Sequence, residues 1–305
     1  MKTLLDFGSQ ILENSDAFRD PFFSRFTLRH GPKPVQLTDK IAKNYQFPTF
    51  YANVTCAIGI FHCDYEKARK IMPHPKITPI RMTRGRALVA FSCYQYKNVM
   101  GVPPYNEVAM TIPVLANPRL DLPILPMVAG RLFASAGYYV FGMPVTSREN
   151  QIRCNKIWGL PKVTQEIDIT EVGDSCLTVV KEDDGTPYFE LKVPMSGKNS
   201  RFDVSAFLYS KLDERILKSP TFFKADFSVT KNLGLLFRIG DHTSEEWLKI
   251  GNSPSARILN ELDVERQPFQ FRYSNAMNSA FDLALDPHGL FPGGERQNSD
   301  SGCPK

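Results

Sequence analysis

No run of five or more like charges occurs in the 305 residues; 37 basic and 32 acidic side chains lie scattered along the chain, for a net charge of +5. A nucleic-acid surface or an acidic tail needs clustering of that kind, so neither is expected, and the small positive balance favours at most an anionic small molecule. Cysteines are few and far apart: the six (Cys56, Cys63, Cys93, Cys154, Cys176, Cys303) lie in a chain too large to need covalent staples. With no recognisable secretory leader, a reducing cytoplasm is the expected compartment. No glycine-rich dinucleotide fingerprint and no phosphate-cradling loop is present. An uninterrupted membrane-length apolar run is missing too. The longest candidate, Pro123 to Val145, is broken by Pro126, Arg131 and Pro144, and a bilayer would have to solvate the arginine and repair backbone bonds lost at the prolines. A buried core element is the expected reading. Disorder is excluded by 42% hydrophobic against 23% charged residues.

What is present reads mainly as strands. A Pro-punctuated arm over residues 1–50 precedes a main domain over 51–285, and a Gly-, Pro- and Ser-rich tail follows over 286–305. Phe50 to Ile60, Ala87 to Tyr96, Val108 to Leu115 and Tyr138 to Phe141 are β-branched or apolar enough for strands, as are Phe222 to Val229, Leu233 to Ile239 and Phe269 to Tyr273. Cys176 to Lys181 and Tyr188 to Val193 flank Asp183-Asp184-Gly185-Thr186, a hairpin signal because glycine permits positive φ. Short helices are expected after Asp64 as N-cap, over Met127 to Ser135, over Thr243 to Leu248 and over Ser255 to Leu262. The fold class is therefore α+β, mainly antiparallel β, a curved or closed barrel with flanking helices.

The segment with chemical content is Asn155-Lys156-Ile157-Trp158-Gly159-Leu160-Pro161-Lys162-Val163. An ordinary lysine is protonated at neutral pH and is no nucleophile. Desolvation by Trp158, Leu160, Pro161 and Val163 disfavours the ammonium, and a neighbouring cation would act in the same direction. The alternative is a surface lysine after a Gly-x-Pro turn, its stem lying over Trp158. Other candidates carry less. Cys56, His62, Cys63 and His74 are metal-ligand types in no familiar zinc spacing, and Ser228-Val229-Thr230-Lys231 matches a Ser-x-x-Lys nucleophile pattern without its companion motifs. No metal site is expected.

Trp158-Gly159-Leu160-Pro161-Lys162 resembles the imine-lysine motif of the acetoacetate decarboxylase-like superfamily, where the motif follows a strand. Tyr105-Asn106-Glu107-Val108-Ala109-Met110-Thr111-Ile112-Pro113-Val114 is similar to the strand that supplies that family's catalytic glutamate. A looser similarity covers Cys63-Asp64 to Pro73, so the resemblance spans about Asn53 to Asp168. It implies a cone-shaped, largely antiparallel barrel, Lys162 as nucleophile and Glu107 as general acid/base. Tyr105, Trp158 and Leu160 would shape the pocket mouth. It also implies no metal or organic cofactor, a small or medium oxo compound as substrate partner, and a homo-oligomer. As a strand carboxylate, Glu107 has the alternative of a solvated rim position.

This sequence departs from the family pattern at several places. Val163 replaces a second lysine, and Cys154-Asn155-Lys156 replaces Gly-Arg-Glu with its structural ion pair. Val54 and Ser92 stand where the decarboxylases place an arginine and an acid. Arg25 or Arg29 of the arm are candidates to fill the arginine's place. Aldol, retro-aldol and dehydration chemistry fit such a site as well as decarboxylation. A catalytically silent small-molecule binder on the same fold is the rival from another class.

Overall fold

The computed structural model describes residues 10–118, 123–124, 134–237 and 244–291. In chain order the strands that frame the site are β1 (Thr49–Asp64), β2 (Arg86–Tyr96), β3 (Tyr105–Ala116), β4 (Ala136–Val145) and β5 (Lys162–Thr164). They continue as β6 (Glu166–Val172), β7 (Ser175–Lys181), β8 (Pro187–Pro194), β9 (Lys198–Leu212), β10 (Arg215–Lys231), β11 (Leu248–Ile250) and β12 (Pro268–Phe281). The helices are α1 (Tyr65–Lys70), α2 (Arg148–Trp158) and α3 (Arg257–Glu261).

Period-two patterning decides how these strands assemble. Along β2, Ser92, Tyr94 and Tyr96 point to one side and Phe91 and Cys93 to the other. A sheet with two such faces can enclose one and cover the other. The order β4-β9-β10-β12-β1-β2-β3 closes because β3 pairs back onto β4, giving a seven-strand barrel. Its pairings are antiparallel except β4 with β9, and β5 attaches parallel to the outer edge of β4. Closure removes exposed strand edges, the recurrent weakness of open sheets. The outward face is covered by a second sheet of order β6-β7-β8-β11. Phe91 and Phe189 meet there edge to face, ring centres 5.0 Å apart.

The expected hairpin is β7–β8, with Gly185 at φ +88° in its turn. Asp64 caps α1 by accepting from Lys67 N at 2.8 Å, as expected. Other readings need correction. Leu233 to Ile239 is no strand: Leu233–Phe237 is a 3-10 turn and the remainder lies outside the described residues. Thr243 to Leu248 is not a helix where it is described. Leu248 opens β11, because Leu191 on the edge of β8 offers it a pairing partner, and an open edge outweighs the weak propensity of a short segment. The motif lysine follows a helix, α2, rather than a strand. The helix expected over Met127 to Ser135 lies outside the described residues except at its last positions, as does most of the tail.

The arm is packed down, with Phe22 and Phe23 buried against Phe50. Lys43 and Tyr45 from the arm reach the buried carboxylate of Glu149 on α2. That contact fixes the helix whose far end delivers the lysine. No described helix is long and apolar enough to cross a membrane.

Candidate active site

Helix α2 begins where Ser147 Oγ accepts from Asn150 N at 3.2 Å, and ends at Gly159, whose φ of +61° is left-handed. Glycine is needed there twice over: the conformation is strained for any side chain, and a Cβ would lie 2.2 Å from the Lys211 carbonyl oxygen. The turn passes through Leu160 and Pro161 and returns as β5. Asn155 clasps the backbone of Lys162 on both sides, donating to its carbonyl at 3.2 Å and accepting from its N–H at 3.2 Å. Lys162 then pairs with Met143 on β4, and two positions along β4 Val145 pairs with Glu107 on β3. Helix cap, asparagine clasp and sheet register together aim the lysine at the carboxylate.

Lys162 and Glu107 are buried, with 3% and 4% of their surfaces exposed, and Nζ hydrogen-bonds both Glu107 Oε2 and Asn150 Oδ1. Asn150 is oriented in turn, its Nδ2 donating to the Tyr105 hydroxyl at 2.8 Å and its Oδ1 accepting from the Cys154 thiol at 3.2 Å. Tyr96 Oη donates to Glu107 Oε1 at a long 3.4 Å. Burial is the strongest influence on the Lys162 ammonium and works to lower its pKa. Cys154 and then Glu107 oppose it, and the net direction is upward. Desolvation therefore does not by itself free the amine, and Lys162 and Glu107 form an ion pair. Around it the Tyr51, Tyr96 and Tyr105 phenols are all pushed up, chiefly by burial, and stay neutral donors at ordinary pH.

Lys162 and Glu107 both reach the wall of a cavity of about 180 Å3 inside the barrel. An apolar cavity of about 150 Å3 takes a benzene molecule, so this one fits a small or medium organic compound. Apart from its tyrosines and the pair itself the wall is mostly apolar, with Ile58, Met143, Phe223 and Phe281 typical. Of the other site residues read from the sequence, Leu160 lies in this wall. Tyr105 stands behind the lysine, its ring centre 5.6 Å from Nζ. Trp158 is fully buried outside the wall, donating from Nε1 to the Asp282 carbonyl at 2.9 Å and packing on Phe281. Arg25 and Arg29 do not enter the cavity, each being paired at the surface with Asp203 and Asp282 respectively. Among the described residues no group of three or more His, Cys, Asp or Glu side chains is placed to hold a metal. Cys56 faces the cavity while Cys63 packs in the outer core.

Three polar residues went unread in the sequence: Asn150, Asn155 and Arg272, the last lining the same cavity from β12. Ser147 as N-cap, Glu149 in the first turn and Gly159 past the end are the signals that would have found α2.

The described strands thus form a closed barrel with a buried lysine–carboxylate pair facing its lumen. A family model for acetoacetate decarboxylase (ADC) matches residues 33–219; the chain belongs to that family. Among solved structures, acetoacetate decarboxylase from Legionella pneumophila is 13% identical with a TM-score of 0.52, over 78% of this chain and 86% of that one. The enduracididine biosynthesis enzyme MppR, complexed with pyruvate, is 11% identical with a TM-score of 0.54, over 79% of this chain and 92% of that one. A further acetoacetate decarboxylase structure is 14% identical with a TM-score of 0.51, over 78% and 87% of the two chains. These likenesses establish the fold. No curated protein matches the chain by direct sequence comparison.

Proposed function

We propose that the protein is an imine-forming lyase in which Lys162 attacks the carbonyl of an oxo compound and Glu107 moves the protons. The observation that carries this reading is the Lys162–Glu107–Asn150 contact, buried at the wall of an apolar cavity. Proton transfer from the ammonium to the carboxylate converts the ion pair into a neutral amine and a neutral acid without changing net charge. Loss of water from the cavity on substrate entry favours that neutral form, since low dielectric penalises separated charge. Nucleophile and acid then appear together. The amine adds to the carbonyl carbon to give a carbinolamine. Glu107 protonates its hydroxyl, which leaves as water, and the nitrogen lone pair forms the iminium.

From the iminium, a C–H or C–C bond on the adjacent carbon breaks and its electron pair enters the iminium as an enamine. Glu107 accepts or returns the proton at that carbon. Decarboxylation, aldol or retro-aldol reaction and dehydration all run through this enamine. A relative of the same fold holds the condensation product of pyruvate and imidazole 4-carboxaldehyde, which supports carbon–carbon bond formation as one outcome. Asn150 positions Nζ and Tyr96 supports Glu107. The reading is tested by hydrogen–deuterium exchange at the α-carbon of a methyl ketone, followed by NMR. Exchange is expected with the wild type and absent with Lys162→Met and Glu107→Gln; exchange that persists in Lys162→Met would remove the enamine.

A further inference from the structure

Arg272 is a cation without a counter-charge inside the same cavity. It lines the wall from β12, forms no ion pair among the described residues, and its guanidinium lies 5.0 Å from the centre of the Phe202 ring. Its Nη2 donates to Gln270 Oε1 at 3.3 Å. The Nε of Arg272 and the Nε2 of Gln270 are buried donors with no acceptor. Buried donors are almost always satisfied in a working protein, so two orphans side by side, one of them cationic, describe an acceptor that arrives from outside.

Register locates them. Arg272 pairs with Ile58, Ile58 with Ser92, and Ser92 with Ala109, the inward residue next to Glu107 on β3. Three strand spacings of about 4.8 Å separate β12 from β3, roughly 14 Å along the wall. Three steps in a ring of seven strands is nearly half the circumference, so Arg272 faces the Lys162–Glu107 pair from the opposite wall. The lumen between them is apolar, with Ile58, Phe202 and Met277 in its wall.

We propose that Arg272, with Gln270, is the anion-binding end of this cavity, and that the substrate is an oxo acid whose carboxylate is separated from its reacting carbonyl by an apolar segment. The inference rests on Lys162 as the imine lysine and deepens that reading. A guanidinium takes a carboxylate through paired N–H donors, and the aromatic ring behind it keeps the fork oriented. A β-keto acid, whose carboxylate sits one carbon from its carbonyl, spans less of the lumen than a longer oxo acid. Arg272 is a specificity residue here and takes no part in the bond changes.

The test uses the intact chain and methyl-ketone acids of graded length (4-oxopentanoate, 6-oxoheptanoate and 8-oxononanoate), each with its methyl ester. With cyanoborohydride present, at least one acid longer than 4-oxopentanoate should be trapped on Lys162 at least tenfold faster than its ester. Arg272→Met should abolish that preference, with trapping of the acid falling at least tenfold more than trapping of its ester. Equal trapping of every acid and ester in the wild type, or equal loss of both in Arg272→Met, overturns the proposal. A second arm separates it from the imine reading: calorimetry with heptanoate and nonanoate, which have no carbonyl. At least one should bind both the wild type and the charge-balanced Lys162→Met/Glu107→Gln variant, and bind Arg272→Met at least tenfold more weakly. If no compound is trapped while this dependence on Arg272 holds, the imine reading fails and the anion site stands; if neither acid depends on Arg272, the anion site fails.

Discussion

Replacing Lys162 by methionine leaves the Glu107 carboxylate inside the barrel without its cation. The carboxylate has little else to lean on, with 4% of the residue exposed and only a 3.4 Å bond from the Tyr96 hydroxyl. Breaking a buried pair by deleting one partner costs about 3–5 kcal/mol, whereas replacing both partners by well-packed neutral groups is near neutral or stabilising. Lys162→Met should therefore lower unfolding stability by about 3–5 kcal/mol at pH 8, and Lys162→Met/Glu107→Gln should recover most of that loss. Urea unfolding followed by tryptophan fluorescence suits the measurement, since only Trp158 and Trp247 report and Trp158 lies in the turn leading to the lysine. A single variant as stable as wild type at pH 8, or a double variant less stable than the single one, would refute the buried-pair reasoning.

Alkaline pH probes the same pair from the lysine side. A lysine whose pKa is raised on folding contributes stability that is fully present below about pH 10.4 and lost as pH rises through the folded value, so wild-type stability measured relative to the double variant should decline only above that pH in alkaline urea titrations. Gly159→Ala should destabilise by more than about 1 kcal/mol, because φ is +61° and the new Cβ meets the Lys211 carbonyl oxygen at 2.2 Å; activity should fall further than stability at permissive temperature. Glu149→Gln removes the charge that Lys43 and Tyr45 share on α2 and should cost about 3–5 kcal/mol, measured by thermal unfolding. Acetoacetate should be a poor substrate; carbon dioxide release at about ten per second or more, the range of an efficient enzyme, would contradict placing the carboxylate site at Arg272, on the wall opposite Lys162.

That Lys162 and Glu107 come together was legible because the family writes them in contiguous motifs, and those motifs lie on β5 and β3, the strands that flank β4. Helix α2 was not legible, for a physical reason. It buries Glu149, Asn150, Arg153 and Cys154 with Trp158, so its inward face is largely polar and the usual apolar stripe is missing. Asn150 and Asn155 went unread with it. Strand β9 was missed because Lys198–Leu212 leaves much of its length exposed and mixes polar with apolar residues on both faces. Its place comes from pairing with β10 across fifteen positions. Arg272 sits among ordinary strand residues, and only barrel closure brings it to face the lysine.

The central claim is that one amine, Lys162 Nζ, bonds to substrate carbon, and borohydride trapping read by intact mass and peptide mapping addresses it directly. Incubated with a ketone panel and reduced, the wild type should gain the mass of one ketone less its oxygen (water lost on imine formation, two hydrogens added on reduction), mapped to the peptide containing Lys162. Lys162→Ala and Lys162→Arg should gain nothing, the latter because a guanidinium does not deprotonate in proteins. An adduct of wild-type yield in Lys162→Ala, or one mapped to any other lysine, would contradict the account.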